Sequence, residues 1–137
     1  MDQDIKQILE DTNTVAIVGL SDNPDRASYG VARYLLNHDY TIIPVNPLVD
    51  SVMGRKSYPN LRALPEPPDV VDIFRRSEHV MPIVEEAIAV GAHAVWMQLG
   101  VINEEAAAKA REHGLRVVMD RCMKIEHQRL IQESRER

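Results

Sequence analysis

The apolar positions of the chain fall into two spacings. Val15, Ala16, Ile17 and Val18 run without alternation and stop at Gly19, which predicts a strand buried on both faces, as in a parallel sheet. After Ser28, Val31, Leu35 and Leu36 recur at helical spacing, so a helix is expected with Ser28 as its N-cap, ending near Asn37 and His38. Before the strand, residues 2 to 12 predict a short helix with Ile5, Ile8 and Leu9 on one face, packed at the sheet edge. Tyr40 to Asn46 is a second strand, with Pro44 near its end or at a bulge because proline lacks a ladder donor. Residues 48 to 68 form a long connection rich in proline and polar residues, with one helical turn at Leu61 to Leu64.

The alternation continues to the end of the chain. Asp69 to Phe74 is a third strand, followed by a helix that starts at or near Ser77, carries Pro82 in or close to its first turn and stops at Gly91. Ala92 to Gln98 is a fourth strand, on which Trp96 and Met97 should fill the core on opposite faces. Asn103 caps the next helix, with Glu104 and Glu105 complementing its dipole and Gly114 ending it. Arg116 to Met119 is a short fifth strand. A last helix starts near Met123 with Ile125 and Leu130 inward, and the tail QESRER is expected to fray. Strands alternating with helices predict an α/β, Rossmann-like three-layer fold in a single domain over residues 1–137. Its five-stranded parallel sheet is expected in the order 3-2-1-4-5.

Composition removes several classes of function. Apolar residues make up 45% and charged residues 27% of the chain, the balance of an ordinary globular protein, and no run of eighteen apolar residues suggests a membrane span. A net charge of −5 and the absence of a basic stripe argue against nucleic acid as the main partner. The acidic, amphipathic N-terminus does not resemble a targeting peptide, and Cys122 has no second cysteine to pair with. Both points suit a reducing cytoplasm. The five histidines, His38, His79, His93, His113 and His127, match no metal-ligand spacing, so no metal site is expected. There is no nucleophile elbow either, and no catalytic residue is assigned.

The chemistry concentrates at the C-terminal ends of the predicted strands, where ligands bind in open α/β sheets. The loop Gly19 to Arg26 is small and polar and leads into a helix whose free N–H groups favour an anion such as a phosphate. Gly54-Arg55-Lys56 and Arg75-Arg76 are cations near strand ends, readable either as solvated surface charges or as phosphate clamps. An NAD site usually carries Asp or Glu at the end of the second strand; Asn46 stands there, and the first turn has Gly19-x-Ser21 with no further glycine until Gly30. Cys122 follows the fifth strand beside Arg121 and Lys124. It reads either as a small packing residue or as a reactive thiol, and Asp120 reads as a cap for the last helix.

Taken in order, VAIVGLSDNPDRASYGVARYLL, YTIIPVNP, VVDIFRRSEHV, AVWMQLGV and VVMDRCMKIEH resemble the small bacterial and archaeal CoA-binding proteins. Through them the chain is similar to the N-terminal CoA-binding domain of the succinyl-CoA synthetase alpha chain. The resemblance spans roughly residues 8 to 130. It implies coenzyme A or an acyl-CoA as ligand, with Gly19 and Ser21 letting the backbone approach the phosphates and Asn23, Arg26, Ser28 and Tyr29 completing the first loop. It further implies Pro44, Asn46 and Pro47 at the adenosine, Arg55, Phe74 and Arg75 on a third wall, and Gln98 and Gly100 near the pantetheine arm. The phosphorylated histidine of the synthetase belongs to a second domain that this sequence does not show, so ligase activity is not carried over. A CoA-binding module without chemistry of its own is therefore the first reading. The second is an enzyme, either an NAD(P)-dependent oxidoreductase or a CoA-thiol redox protein using Cys122. The third is a subunit that supplies CoA to a separate protein partner.

Overall fold

The computed structural model describes residues 1–133. In chain order, α1 (Asp2–Asp11) leads into β1 (Thr14–Val18), α2 (Ala27–Leu36) and β2 (Thr41–Val45). A small antiparallel hairpin follows, β3 (Ser51–Val52) and β4 (Arg55–Lys56), and then one 3-10 turn at Leu61–Ala63. Next come β5 (Val70–Ile73), α3 (Val80–Val90), β6 (Ala94–Met97), α4 (Glu104–Glu112), β7 (Arg116–Val118) and α5 (Met123–His127). A wide helical turn, Gln128–Gln132, extends α5. Gln132 and Glu133 are still helical, and residues 134–137, the rest of the tail expected to fray, lie outside the described residues.

β1, β2, β5, β6 and β7 form one parallel sheet with helices on both faces. Side chains alternate between the faces along each strand. Val15, Ile17, Val70 and Trp96 point to the layer of α1, α2 and α5, whereas Ala16, Val18, Val71, Val95 and Met97 point to α3 and α4. Central parallel strands must be apolar on both faces, and here every position of β5 and β6 is buried. Alanines of α4 (Ala106, Ala107 and Ala110) are fully buried and let that helix lie close to the core. On the opposite layer, Glu126 is buried between Arg121 (2.7 Å) and Arg129 (2.9 Å), and Arg129 also grips Asp2 at 2.8 and 3.0 Å, tying α1 to the C-terminal helix.

The strand order differs from the expected 3-2-1-4-5. The sheet runs β2-β1-β5-β6-β7, which is 2-1-3-4-5 when the five strands are counted along the chain. The place beyond β2 is taken by the connection itself. Tyr58 makes an isolated parallel bridge to Val45, donating its N–H to Pro44 O at 3.0 Å and accepting from Asn46 N at 2.9 Å. The seat beyond β2 is an edge, and a polar segment can fill it with a single bridge. DVVDIF is buried at all four strand positions and needs two strand neighbours, so it lies between β1 and β6. Pro44 is in register with Ile17, and its missing donor faces the edge.

Three local expectations are also corrected. The cap of α2 is Arg26, not Ser28: Ser28 lies inside the first turn, buried, and its Oγ accepts the Ser21 N–H at 3.0 Å. Ile125 is 51% exposed, because Met123, Glu126 and His127 occupy the inward face of α5 at helical spacing and Ile125 cannot share it. Asp120 does not cap α5; its Oδ1 accepts Gly100 N–H at 2.7 Å from across the sheet end. Asn103 caps α4 as expected, accepting from Ala106 N at 2.9 Å.

Candidate ligand-binding crevice

From β1 the chain crosses to β2 on one side, then returns past β1 to β5 on the other. The strand order therefore reverses between β1 and β5, and the C-terminal ends of these two strands open a crevice there. The crevice has a volume of about 550 Å³ and is bordered by the loop Gly19–Ser28, by Asn46, Leu48 and Val49 after β2, and by Phe74 and Arg75 after β5.

Gly19 sets the geometry of its floor. Its φ is 86°, and a Cβ there would sit 2.4 Å from the Phe74 carbonyl oxygen. Only glycine lets the ends of β1 and β5 pass this closely. Beyond it the loop is held by its own side chains. Ser21 N–H donates to Ser28 Oγ, Asn23 N–H to Ser21 Oγ at 3.0 Å, and Asp25 N–H to Asn23 Oδ1 at 2.9 Å. Tyr29 and Gly30 donate their N–H groups to Arg26 O, while those of Ala27 and Ser28 find no backbone acceptor among the described residues. The open end of α2 thus presents donors and the positive end of its dipole beside the crevice. Two exposed cations, Arg26 and Arg75, and one anion, Asp22, complete the rim.

A second, apolar groove of about 420 Å³ shares Ala27, Phe74 and Arg75 with the crevice and continues past them. It reaches Gln98 and Leu99 after β6 and Cys122 and Ile125 at the start of α5, with Val31 and Val101 also in its wall. Gln98 is buried and accepts from Met123 N–H at 3.4 Å. Another hollow of about 550 Å³ runs along the outer edge of β7 under α1. Neither the glycine turn nor the start of α2 opens into it.

Of the residues marked in the sequence, Gly19, Ser21, Arg26, Ser28, Asn46, Phe74 and Arg75 line the crevice, and Gln98 lines the groove. Asn46 acts mainly as a clamp: its Nδ2 donates to Leu20 O at 3.0 Å and its Oδ1 accepts Leu48 N–H at 2.9 Å. Asn23, Tyr29, Pro44, Pro47, Arg55 and Gly100 line neither space. Arg55 turns back onto its own hairpin, donating to Met53 O at 2.7 Å, and Tyr29 lies under Arg33 at 5.3 Å. Asp22, Ala27, Leu48 and Val49, and most of the groove, were not singled out by sequence reasoning. A usable signal was present: Leu48 and Leu99 are apolar residues inside polar turns at strand ends, and both are exposed here. Cys122 is half-buried at the N-cap of α5, in the groove wall. Among the described residues no three His, Cys, Asp or Glu side chains gather as a metal site, and no helix is long and apolar enough to cross a membrane.

The model of a family described as a CoA binding domain matches residues 13–128, and so takes in both the crevice and the groove. This chain belongs to the CoA-binding domain family. It is 42% identical over 124 residues to the uncharacterized protein YneT of Bacillus subtilis, covering 90% of this chain and 92% of that one. It superposes on a hypothetical protein from Pyrococcus horikoshii with a TM-score of 0.92 at 44% identity, covering 96% and 92% of the two chains. It also resembles part of a dinucleotide-forming acetyl-coenzyme A synthetase of Ca. Korarchaeum cryptofilum. There the TM-score is 0.72 at 25% identity, over 79% of this chain and 26% of the synthetase.

Proposed function

We infer that the protein binds coenzyme A at the switch-point crevice and acts as a binding module. What carries the reading is one juxtaposition: the open N-terminus of α2, Arg26 and Arg75 face one crevice in a chain of the CoA-binding domain family. The phosphates are assigned to the Ser21–Ser28 loop, and the adenosine to Leu48 and Val49. Free N–H donors and two cations suit a diphosphate and a ribose phosphate. Asn46 supports CoA over NAD, because it stands where an NAD site usually carries the Asp or Glu that accepts from both ribose hydroxyls, and its amide holds the neighbouring loops instead.

Calorimetric titration with CoA, dephospho-CoA and NADH tests this. Arg26→Ala and Arg75→Ala should each weaken CoA binding by about two- to fivefold, the range for exposed charge pairs, and reduce its salt dependence. Dephospho-CoA should lose less than CoA in whichever variant removes the partner of the ribose phosphate. Preference for NADH, or CoA binding unaltered in both variants, refutes the assignment.

The position of Cys122 in a groove continuous with the crevice favours a second reading, a thiol-exchange protein. The Cys122 thiolate would attack a CoA disulfide, forming the protein–CoA mixed disulfide and releasing one CoA thiolate. After incubation with CoA disulfide, mass spectrometry should then show one CoA adduct that reductant removes and Cys122→Ser lacks; absence of an adduct on the unaltered protein rejects this reading.

A further inference from the structure

We propose that the apolar groove beyond Phe74 holds the acyl chain of a CoA thioester, so that the protein prefers acyl-CoA to free CoA. This rests on the CoA reading of the crevice and names what the far end of that ligand carries. Three observations converge. The groove shares Ala27, Phe74 and Arg75 with the crevice, so a ligand anchored by its phosphates at α2 can extend past Phe74 into it. Beyond Phe74 the wall is built largely from Val31, Val101, Leu99 and Ile125, with Cys122 beside them and Gln98, whose Oε1 accepts Met123 N–H at 3.4 Å, as its one amide. A free thiol gains little from such a wall, whereas methylenes gain with every carbon buried. Finally, Leu99 is 63% and Ile125 51% exposed although both are large and apolar, the condition of side chains that a ligand covers.

The chemical class follows from the size and open side of the groove. About 420 Å³ accommodates the end of the pantetheine arm and a short aliphatic chain. No cation other than Arg75, which stands at the crevice end, lines it. A dicarboxylic acyl group would bring its second carboxylate against Leu99, Val101 and Ile125 without a partner, so the acyl group is uncharged.

Titration calorimetry of the full chain with CoA, acetyl-CoA, butyryl-CoA, hexanoyl-CoA and succinyl-CoA tests the proposal. Affinity should rise along the aliphatic series by up to about fourfold per buried methylene, and succinyl-CoA should bind no better than CoA. Leu99→Ser and Ile125→Ser, both at exposed positions, should bring the hexanoyl-CoA to CoA affinity ratio toward one. Equal binding of CoA and every thioester overturns the proposal while leaving CoA binding intact. An aliphatic preference that survives both substitutions overturns it too, since the chain would then lie elsewhere. A protein that binds neither CoA nor any thioester refutes the underlying assignment of the crevice, and the proposal with it.

Discussion

Asp72 gives the sharpest physical test of the fold. It sits in the middle of β5, in register with Ile17 on one side and Trp96 on the other, and is fully buried. Neither carboxyl oxygen has a hydrogen-bond partner among the described residues. Burial pushes its pKa well above the ordinary carboxylate range, with only a weak opposing contact from the Ile73 backbone. The folded protein therefore holds Asp72 protonated in a pH range where the unfolded chain ionises it. The sign follows from linkage: the folded state binds the extra proton, so stability is greatest below the ordinary carboxylate pKa and falls as pH rises toward the raised value. Wherever Asp72 is protonated in the folded state and ionised in the unfolded chain, the slope approaches about 1.4 kcal/mol per pH unit. Asp72→Asn keeps the shape and abolishes the titration. In urea unfolding followed by circular dichroism, from below the ordinary carboxylate pKa upward, the variant should match the parent at the acid end. It should gain on the parent steadily as pH rises, with m unchanged. Asp72→Val, which also removes the unsatisfied oxygens, should add about 1–3 kcal/mol even at the acid end. A constant offset with Asp72→Asn less stable at every pH would refute the reasoning, because it would mean an ionised, partnered carboxylate.

Two further substitutions probe the ends of the sheet. Gly19→Ala places a methyl group on the Phe74 carbonyl in a backbone conformation that costs a non-glycine residue about 1–2 kcal/mol by itself. Thermal unfolding should show a loss greater than that, and CoA titration a fall of at least about tenfold. An unaltered midpoint would show that β1 and β5 are farther apart at this end than described. At the opposite end, Asp69 accepts Asn13 and Thr14 N–H at 2.8 and 3.0 Å and lies 3.2 Å from His93. Burial raises its pKa, but the two N–H donors, His93 and the Thr14 hydroxyl lower it by more, so the net shift is downward. Asp69→Ala should cost about 1–2 kcal/mol above the ordinary carboxylate pKa, and the difference should disappear as pH falls through the depressed value. A difference that persists unaltered in acid would assign the loss to packing instead.

Much of this fold is legible in the sequence because its signals are local. The unbroken run Val15–Val18, the Asn103 cap and the glycine stop at Gly91, which adopts φ 82°, each act within a few residues of where they are read. What the sequence hid was the geometry of turns and the meeting of separate segments. Ser28 looks like a cap by type, yet its hydroxyl is taken by the Ser21 N–H seven residues back. Arg55 looks like a free cation, yet the tight turn at Met53 and Gly54, both at positive φ, folds it onto its own hairpin. The groove was missed because its wall draws one or two apolar residues from each of four separate segments, none of which forms a pattern in the chain.

The seat of the strand DVVDIF decides whether these residues form a site at all. Neighbouring strands lie about 4.8 Å apart. Had DVVDIF paired outside β2, Phe74 and Arg75 would emerge two strand spacings, about 10 Å, from Gly19, with Asn46 between them. Paired with β1 instead, Phe74 N–H bonds Val18 O at 2.9 Å, its carbonyl closes on Gly19, and Arg75 emerges on the same crevice as Arg26 and the open end of α2. On the rim of one crevice, beside the N–H groups of Ala27 and Ser28, the two cations can act on one diphosphate together. The single bridge at Tyr58 is thus what frees the place beside β1: by filling the edge with one residue of a polar connection, it lets the apolar strand go to the centre and carry Arg75 with it.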